Sequence, residues 1–287
     1  MKKLRIKYKM LSPVSHIGEV ASVGSYFQTI KTDSGRLPII TANSVRGILR
    51  DNGAKFILDT LGCKVDKEIF HVLFSGGNLS GSVKMDVGRA KEVRHHFPFI
   101  SMFGGGLGDM IMSGKMAVGN LYPVCKEADR ITGIYSEISW KNLIDEIEFT
   151  RTDDGKEDNL ANLYMTDPEA ETKAAASTQM RYSVQYMAAG TEFVQEIILN
   201  DNVSLSEEAA LYAAFAEWFK RPIIGGMANK GFGKFSAETD FGIKIKKSEL
   251  IIDDNIMDLI SEYTDFLTNE GTEYLYLLKA GGKNGKK

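Results

Sequence analysis

At 287 residues, 43% hydrophobic and 25% charged, the chain is long enough for a large core and has the composition of an ordinary soluble protein. A net charge of −3 excludes the overall basic character common in nucleic-acid binders, so any such binding must come from a local groove. Cys63 and Cys125 lack metal-ligand spacing, and no apolar run is long enough to cross a bilayer; the expectation is no structural zinc, no membrane partner and a cytoplasmic location.

In chain order, Leu4, Ile6, Tyr8 and Met10 alternate with Arg5, Lys7 and Lys9. This predicts a strand with one apolar face and one basic face, the latter either solvated or turned toward RNA. A loop over 11–37 carries His16 and a turn at Asp33-Ser34-Gly35. Asn43 or Ser44 then caps a helix whose apolar side holds Val45, Ile48, Leu49, Phe56, Ile57 and Leu61. Arg46 and Arg50 share a face near its N-terminus, where anions bind well; a solvated helix face is the plainer reading. Asp66 caps a short helix through Phe74, ended by Ser75-Gly76-Gly77. Arg89, Lys91 and Arg94 precede His95-His96; adjacent histidines point in different directions on a helix or strand, which makes a shared metal the minority reading. Phe103-Gly104-Gly105-Gly106-Leu107-Gly108-Asp109 is glycine-rich but lacks both the dinucleotide-binding spacing and a lysine followed by Ser or Thr, so it is not read as a nucleotide loop. A strand is expected over Lys115 to Cys125.

Between 126 and 189 apolar periodicity weakens, the mark of a long, partly mobile excursion from a compact body. Asp153-Asp154 within it reads as a solvated turn sooner than a catalytic or metal-binding pair. Thr191 to Leu199 is a strand, and Ser204-Leu205-Ser206-Glu207 is a capping box opening a helix with Leu211, Ala214, Phe215 and Trp218 on its apolar face. Further on come a strand through Phe235 and Phe241, a helix over Asp253 to Leu267 and a disordered polar tail at 279–287.

The densest chemistry lies in Ile223-Ile224-Gly225-Gly226-Met227-Ala228-Asn229-Lys230-Gly231-Phe232-Gly233-Lys234-Phe235. Glycines permit left-handed backbone and close approach, backbone amides can cradle an anion, lysine adds charge, and Phe232 offers a face on which a base could stack. A glycine-rich turn before a strand is the plainer alternative. The element order points to an α+β fold, a ferredoxin-like or RRM-type core over 1–125 and 190–250 with large insertions. These are a helical insert near 62–110 and the excursion at 126–189, with a C-terminal helix at 251–278.

Pro38…Asn43-Ser44-Val45-Arg46-Gly47-Ile48-Leu49-Arg50 resembles the helix-entry element of the RAMP superfamily of CRISPR-associated proteins, and the loop from Gly225 to Phe235 resembles its glycine-rich signature. The middle excursion, with Arg151-Thr152-Asp153-Asp154, resembles the thumb of the Cas-seven backbone subunits, and the start at 11–19 is most similar to type IV and type I-D members. The resemblance implies a non-cleaving subunit without metal or cofactor. Such a subunit polymerises head to tail along CRISPR RNA beside other effector subunits and presents the guide for pairing with target nucleic acid. It implies RNA contacts from Asn43, Ser44, Arg46, Arg50 and His16, from Met227, Asn229, Lys230 and Phe232, and from Arg151, Met180 and Arg181 in the thumb. Two alternatives stay open. One is a metal-dependent RNA endonuclease using Asp33 or His16: the cleaving members carry an aspartate before the helix element, and Ser25 at that place in this chain favours the non-cleaving reading, but Asp33 lies nearer the helix and His16 has acid–base chemistry. The other is a nucleotide or small-molecule enzyme built on the glycine loops.

Overall fold

The computed structural model describes residues 1–20, 24–77, 79, 87–151 and 180–279. Period-two alternation makes β1 (Lys2–Met10) a central strand: Leu4, Ile6, Tyr8 and Met10 are buried, and the lysines between them face out. β1 runs antiparallel to β12 (Glu192–Leu199) on one side and β13 (Phe235–Thr239) on the other. β8 (Met116–Val118) and β9 (Tyr122–Pro123) pair with the far edge of β12. β14 (Ile243–Lys246) and β15 (Glu249–Ile252) extend the β13 edge as a hairpin. Strand, helix, strand, strand, helix, strand, with the order β13-β1-β12-β8 at its centre, is a ferredoxin-like α+β core with insertions.

α1 (Ala42–Leu61) and α6 (Leu205–Lys220) cover the apolar face of this sheet, and α7 (Asp254–Phe266) packs on α6. α6 is buried nearly all round, and its alanines let α1 approach closely. A Cβ on Gly53 of α1 would stand 3.1 Å from the Ala214 Cβ and 2.4 Å from the Phe99 ring. Trp218, Phe215, Phe219, Tyr8 and Phe235 interlock at ring separations of 5.3 to 6.2 Å, each such pair worth about 0.5–1.5 kcal/mol beyond area burial. The capping box forms as expected: Ser204 accepts from the Glu207 amide, and the Glu207 carboxylate accepts from the Ser204 amide. Asp66 likewise caps α2 (Lys67–Ser75), which ends at left-handed Gly76.

Several expectations are corrected. The N-cap of α1 is Thr41, not Asn43 or Ser44; its hydroxyl accepts from the Ser44 amide. The expected loop at 11–37 holds β2 (Ile17–Val20), β3 (Gly24–Phe27), β4 (Thr29–Thr32) and β5 (Gly35–Pro38), with Asp33-Ser34 as the β4–β5 turn. The strand expected over 115–125 breaks into β8 and β9. Between them the Gly119 amide bonds to Glu196, so near that a Cβ would meet its carbonyl at 2.6 Å. Phe241 lies in the β13–β14 turn, stacked on Tyr212. Cys125 is buried, which raises its thiol to about 11, whereas Cys63 is only half-buried.

The helical insertion contains α2, α3 (Val87–His96), α4 (Pro98–Phe103) and the short hairpin β6 (Gly105–Leu107) and β7 (Met110–Met112). α5 (Asp129–Thr132) opens the middle excursion. There β10 (Ile144–Arg151) and β11 (Met180–Met187) form a hairpin ladder, and β11 continues parallel to β3, giving a second sheet in the order β10-β11-β3-β2. Asp153-Asp154 and most of the tail lie outside the described residues. Among the described residues no helix is long and apolar enough to cross a membrane.

Candidate nucleic-acid interface

Three segments that are distant in sequence meet through the residues after β1. The glycine loop leaves α6 at Pro222 and folds against residues 12–16. The Gly226 amide donates to Ser15 O at 2.7 Å, Gly233 to Pro13 O at 2.7 Å and Lys234 to Ser12 Oγ at 2.9 Å. Close approach explains two of the glycines. Gly225 (φ 81°) would set a Cβ 2.4 Å from Ser15 O, and Gly233 (φ 85°) one 2.1 Å from Ile224 O. The amides of Lys230, Gly231 and Phe232 also donate within the loop. The backbone cradle expected from the sequence is therefore largely committed to holding the loop, and the exposed chemistry is side-chain chemistry from Asn229 and Lys230 on a short turn. Met227 opens that turn in a left-handed conformation (φ 62°, ψ 28°), a strain that non-glycine residues hold at about 1–2 kcal/mol.

His16 follows Ser15 and reaches the start of α1. Its Nε2 accepts from the Thr41 amide at 3.2 Å and lies 3.1 Å from the Thr41 hydroxyl. Burial lowers its pKa, in keeping with a neutral ring that accepts at Nε2. The Ala42 amide donates to Asn120 Oδ1 at 2.8 Å, so the first amides of α1 already have partners, and the anion site expected there is mostly filled by the chain itself. Asn43 and Arg46 are exposed beside it and Ser44 is half-buried.

Arg46 and Arg50 do share a face, but Arg50 does not lie open on it. Arg50 is 8% exposed, and its guanidinium donates to Val72 O, Leu73 O, Phe103 O and Gly104 O at 2.7 to 3.4 Å. It thus ties together the C-terminal carbonyls of α2 and α4, with the Phe103 ring 5.6 Å away. Burial, with Arg46 nearby, lowers it to about 10, still protonated at neutral pH. Arg46 also donates to Phe103 O, at 2.5 Å, but from an exposed position. Phe232 is likewise removed from a stacking role: it is buried, meeting Tyr186 edge-on at 5.9 Å and Phe149 at 6.5 Å.

The third segment is the β10–β11 hairpin. Lys230 of the loop lies over the Phe149 ring, 3.9 Å from its centroid, and bonds to the Tyr182 hydroxyl at the edge of that ring, 4.6 Å from its centroid. Arg151 pairs with Met180, and Thr150 with Arg181, in the backbone ladder; the side chains of Arg151, Met180 and Arg181 lie outside the described part. Sequence reasoning missed Phe149 and Tyr182, Thr41 and Asn120. The signal for the first two was the alternation Ile147, Phe149 and Tyr182, Val184, Tyr186, hidden in a polar segment.

The remaining candidates fall elsewhere. Asp33 sits on the exposed β4–β5 turn, 3.7 Å from Arg130. Among the described residues no three His, Cys, Asp or Glu side chains converge as a metal site. The Phe103-to-Asp109 glycines serve packing: a Cβ on Gly104 would stand 2.6 Å from Gly114 N and Met112 O. The basic face of β1 is matched by its neighbours, with Lys9 3.6 Å from Glu192, Lys3 4.0 Å from Glu196 and Lys7 opposite Glu238.

A family model described as the RAMP superfamily matches residues 7–236, well over half of the chain. No curated protein matches it. Among solved structures, a chain from one described as a Type IV-B CRISPR complex is 16% identical, with 83% of this chain and 90% of that one covered and a TM-score of 0.60. At that identity the likeness is one of fold.

Proposed function

The chain belongs to the RAMP superfamily, and from that premise we propose that it is a guide-RNA-binding backbone subunit of a CRISPR effector complex. In this reading copies polymerise head to tail along the RNA, hold it by phosphate and sugar, and present its bases to a target without cutting. One observation carries the proposal: the glycine loop, the entry to α1 and the β10–β11 hairpin are tied to one another through Ser15–Gly226, His16–Thr41 and Lys230–Tyr182. Exposed cations on these segments include Lys230, Lys234 and Arg46, with Asn43 and Asn229 as polar partners. Met227 in strained backbone belongs with them, since such outliers gather at functional sites. Arg151, Met180 and Arg181, at the far end of the hairpin ladder, are the part that would cross the RNA. Other effector subunits and the target strand are the further partners.

Purification with and without a CRISPR-type RNA tests this. The expected result is a large particle holding protected RNA at a fixed protein-to-nucleotide ratio, intact after incubation with divalent metal. An RNA-free monomer that ignores added RNA at low salt contradicts it. Metal-dependent cutting lost on Asp33→Ala or His16→Ala would favour the nuclease alternative.

A further inference from the structure

After α7 the chain runs through a π-helical turn (Leu267–Gly271), a short helical turn (Thr272–Tyr274) and a 3-10 turn (Leu275–Leu278), and lies against the helical insertion. Gly271 lets it pass the end of α1, where a Cβ would stand 2.8 Å from Leu61. Leu267, Leu277 and Leu278 are buried, and the Tyr274 ring stacks on His96 of α3 at 3.5 Å. Arg89 of α3 donates to Leu277 O and Lys279 O. Lys279 pairs with Asp66, the carboxylate that caps α2.

A cation therefore grips α2 at each end. Lys279 holds the cap carboxylate, and Arg50 of α1 holds the last carbonyls, Val72 O and Leu73 O. The two grips differ in strength. Arg50 is buried with several acceptors, whereas Lys279 and Asp66 meet at the surface, where one ion pair holds little. The seat under the segment is also imperfect. The Tyr263 hydroxyl and His96 Nδ1, the latter 3.5 Å from Glu270, are buried without a hydrogen bond. The π-turn departs from the regular helical bonding pattern at the same place. Such a segment opens at less cost than the core.

We propose that residues 267–279 are a detachable strap whose seating fixes α2 and, through Arg50, places Arg46 for RNA. The link is one carbonyl: Phe103 O accepts from both Arg46 and Arg50, and Arg50 alone also reaches the α2 carbonyls. A shift of α2 is thereby passed to the Arg46 contact. The strap rests on the RNA-binding function proposed above and adds its regulation. Seated and released are its two states, and an RNA that favours the seated state must in return hold the strap down.

Hydrogen exchange on the full chain, with and without a single-stranded RNA, tests this. The amides of 267–279 are expected to exchange as one group, at least about tenfold faster than those of α6, and to slow when RNA binds. Leu278→Ala removes an anchor without changing charge, and Lys279→Gln removes the ion pair. Both should speed exchange in 267–279, leave α6 unchanged and weaken RNA binding by about fivefold. On an Arg46→Gln background the same variants should weaken binding no further. Exchange of 267–279 at the α6 rate would overturn the strap. Faster exchange in the variants with unaltered RNA affinity, or a full further loss without Arg46, would overturn its coupling to Arg46 and leave RNA binding standing. Should Leu278→Ala fail to fold, Lys279→Gln and the slowing by RNA in the parent decide. A parent that binds no RNA at low salt would instead overturn the RNA-binding function and the coupling with it, while the exchange rates still decide whether the strap detaches.

Discussion

Arg50 on α1 and Lys230 on the glycine loop are both cations beside the same surface, and from sequence both were assigned to phosphates. They end in opposite surroundings. Arg50 is enclosed by the insertion, its donors on four carbonyls of α2 and α4. Lys230 is exposed and, among the described residues, held by the Phe149 ring and the Tyr182 hydroxyl. The difference teaches that spacing on a helix defines a face but not what covers it. A guanidinium with several donors suits a bundle of helix ends, and a flexible ammonium suits a surface that must release it.

The sharpest way to break this contrast is Arg50→Met. Four buried carbonyl contacts lose their donor together, and denaturant unfolding should show a loss of at least about 3 kcal/mol. A loss under about 1 kcal/mol would return Arg50 to the ligand surface. Lys230→Gln should leave stability within about 0.5 kcal/mol while reducing the slope of log affinity against log salt for RNA by about 1. Within the loop, Gly233→Ala is expected to cost roughly 2–3 kcal/mol, because a Cβ collides with Ile224 O on left-handed backbone. Gly231→Ala, with the same sign of φ but open space around it, should cost only about 1 kcal/mol; equal losses in thermal unfolding would refute the close-approach explanation. Met227→Gly should stabilise by up to about 1 kcal/mol and weaken RNA binding, separating strain from function. The smallest effect is pH dependence at His16. Its folded pKa is lowered by burial, so the unfolded chain takes up the proton first. The His16 contribution is whole above the ordinary value of about 6.5 and declines as pH falls below it. His16→Gln should flatten that part of the stability profile.

Signals confined to a few residues were legible in the sequence. Asp66 and the Ser204–Glu207 box cap their helices through contacts two or three residues away, and the alternation of β1 needs only a buried face. What depended on distant chain was not. Thr41 outcompetes Asn43 and Ser44 as cap because His16 and Asn120 fix the backbone just before and inside the helix start. The environment of Arg50 is made by residues 22 to 54 positions away. Phe232 looked like an exposed ring between glycines until β11 supplied Tyr186 to bury it. The RAMP-like order of helix entry and glycine loop was readable because it is local pattern; which of its side chains remain free is a tertiary fact.

The measurement that tests the account most directly is a salt titration of RNA binding by the parent chain and Lys230→Gln. The account predicts tight binding at low salt with little sequence preference, a steep loss as salt rises, and a shallower, weaker curve for the variant. Superimposable curves, or no binding by the parent at low salt, would contradict it.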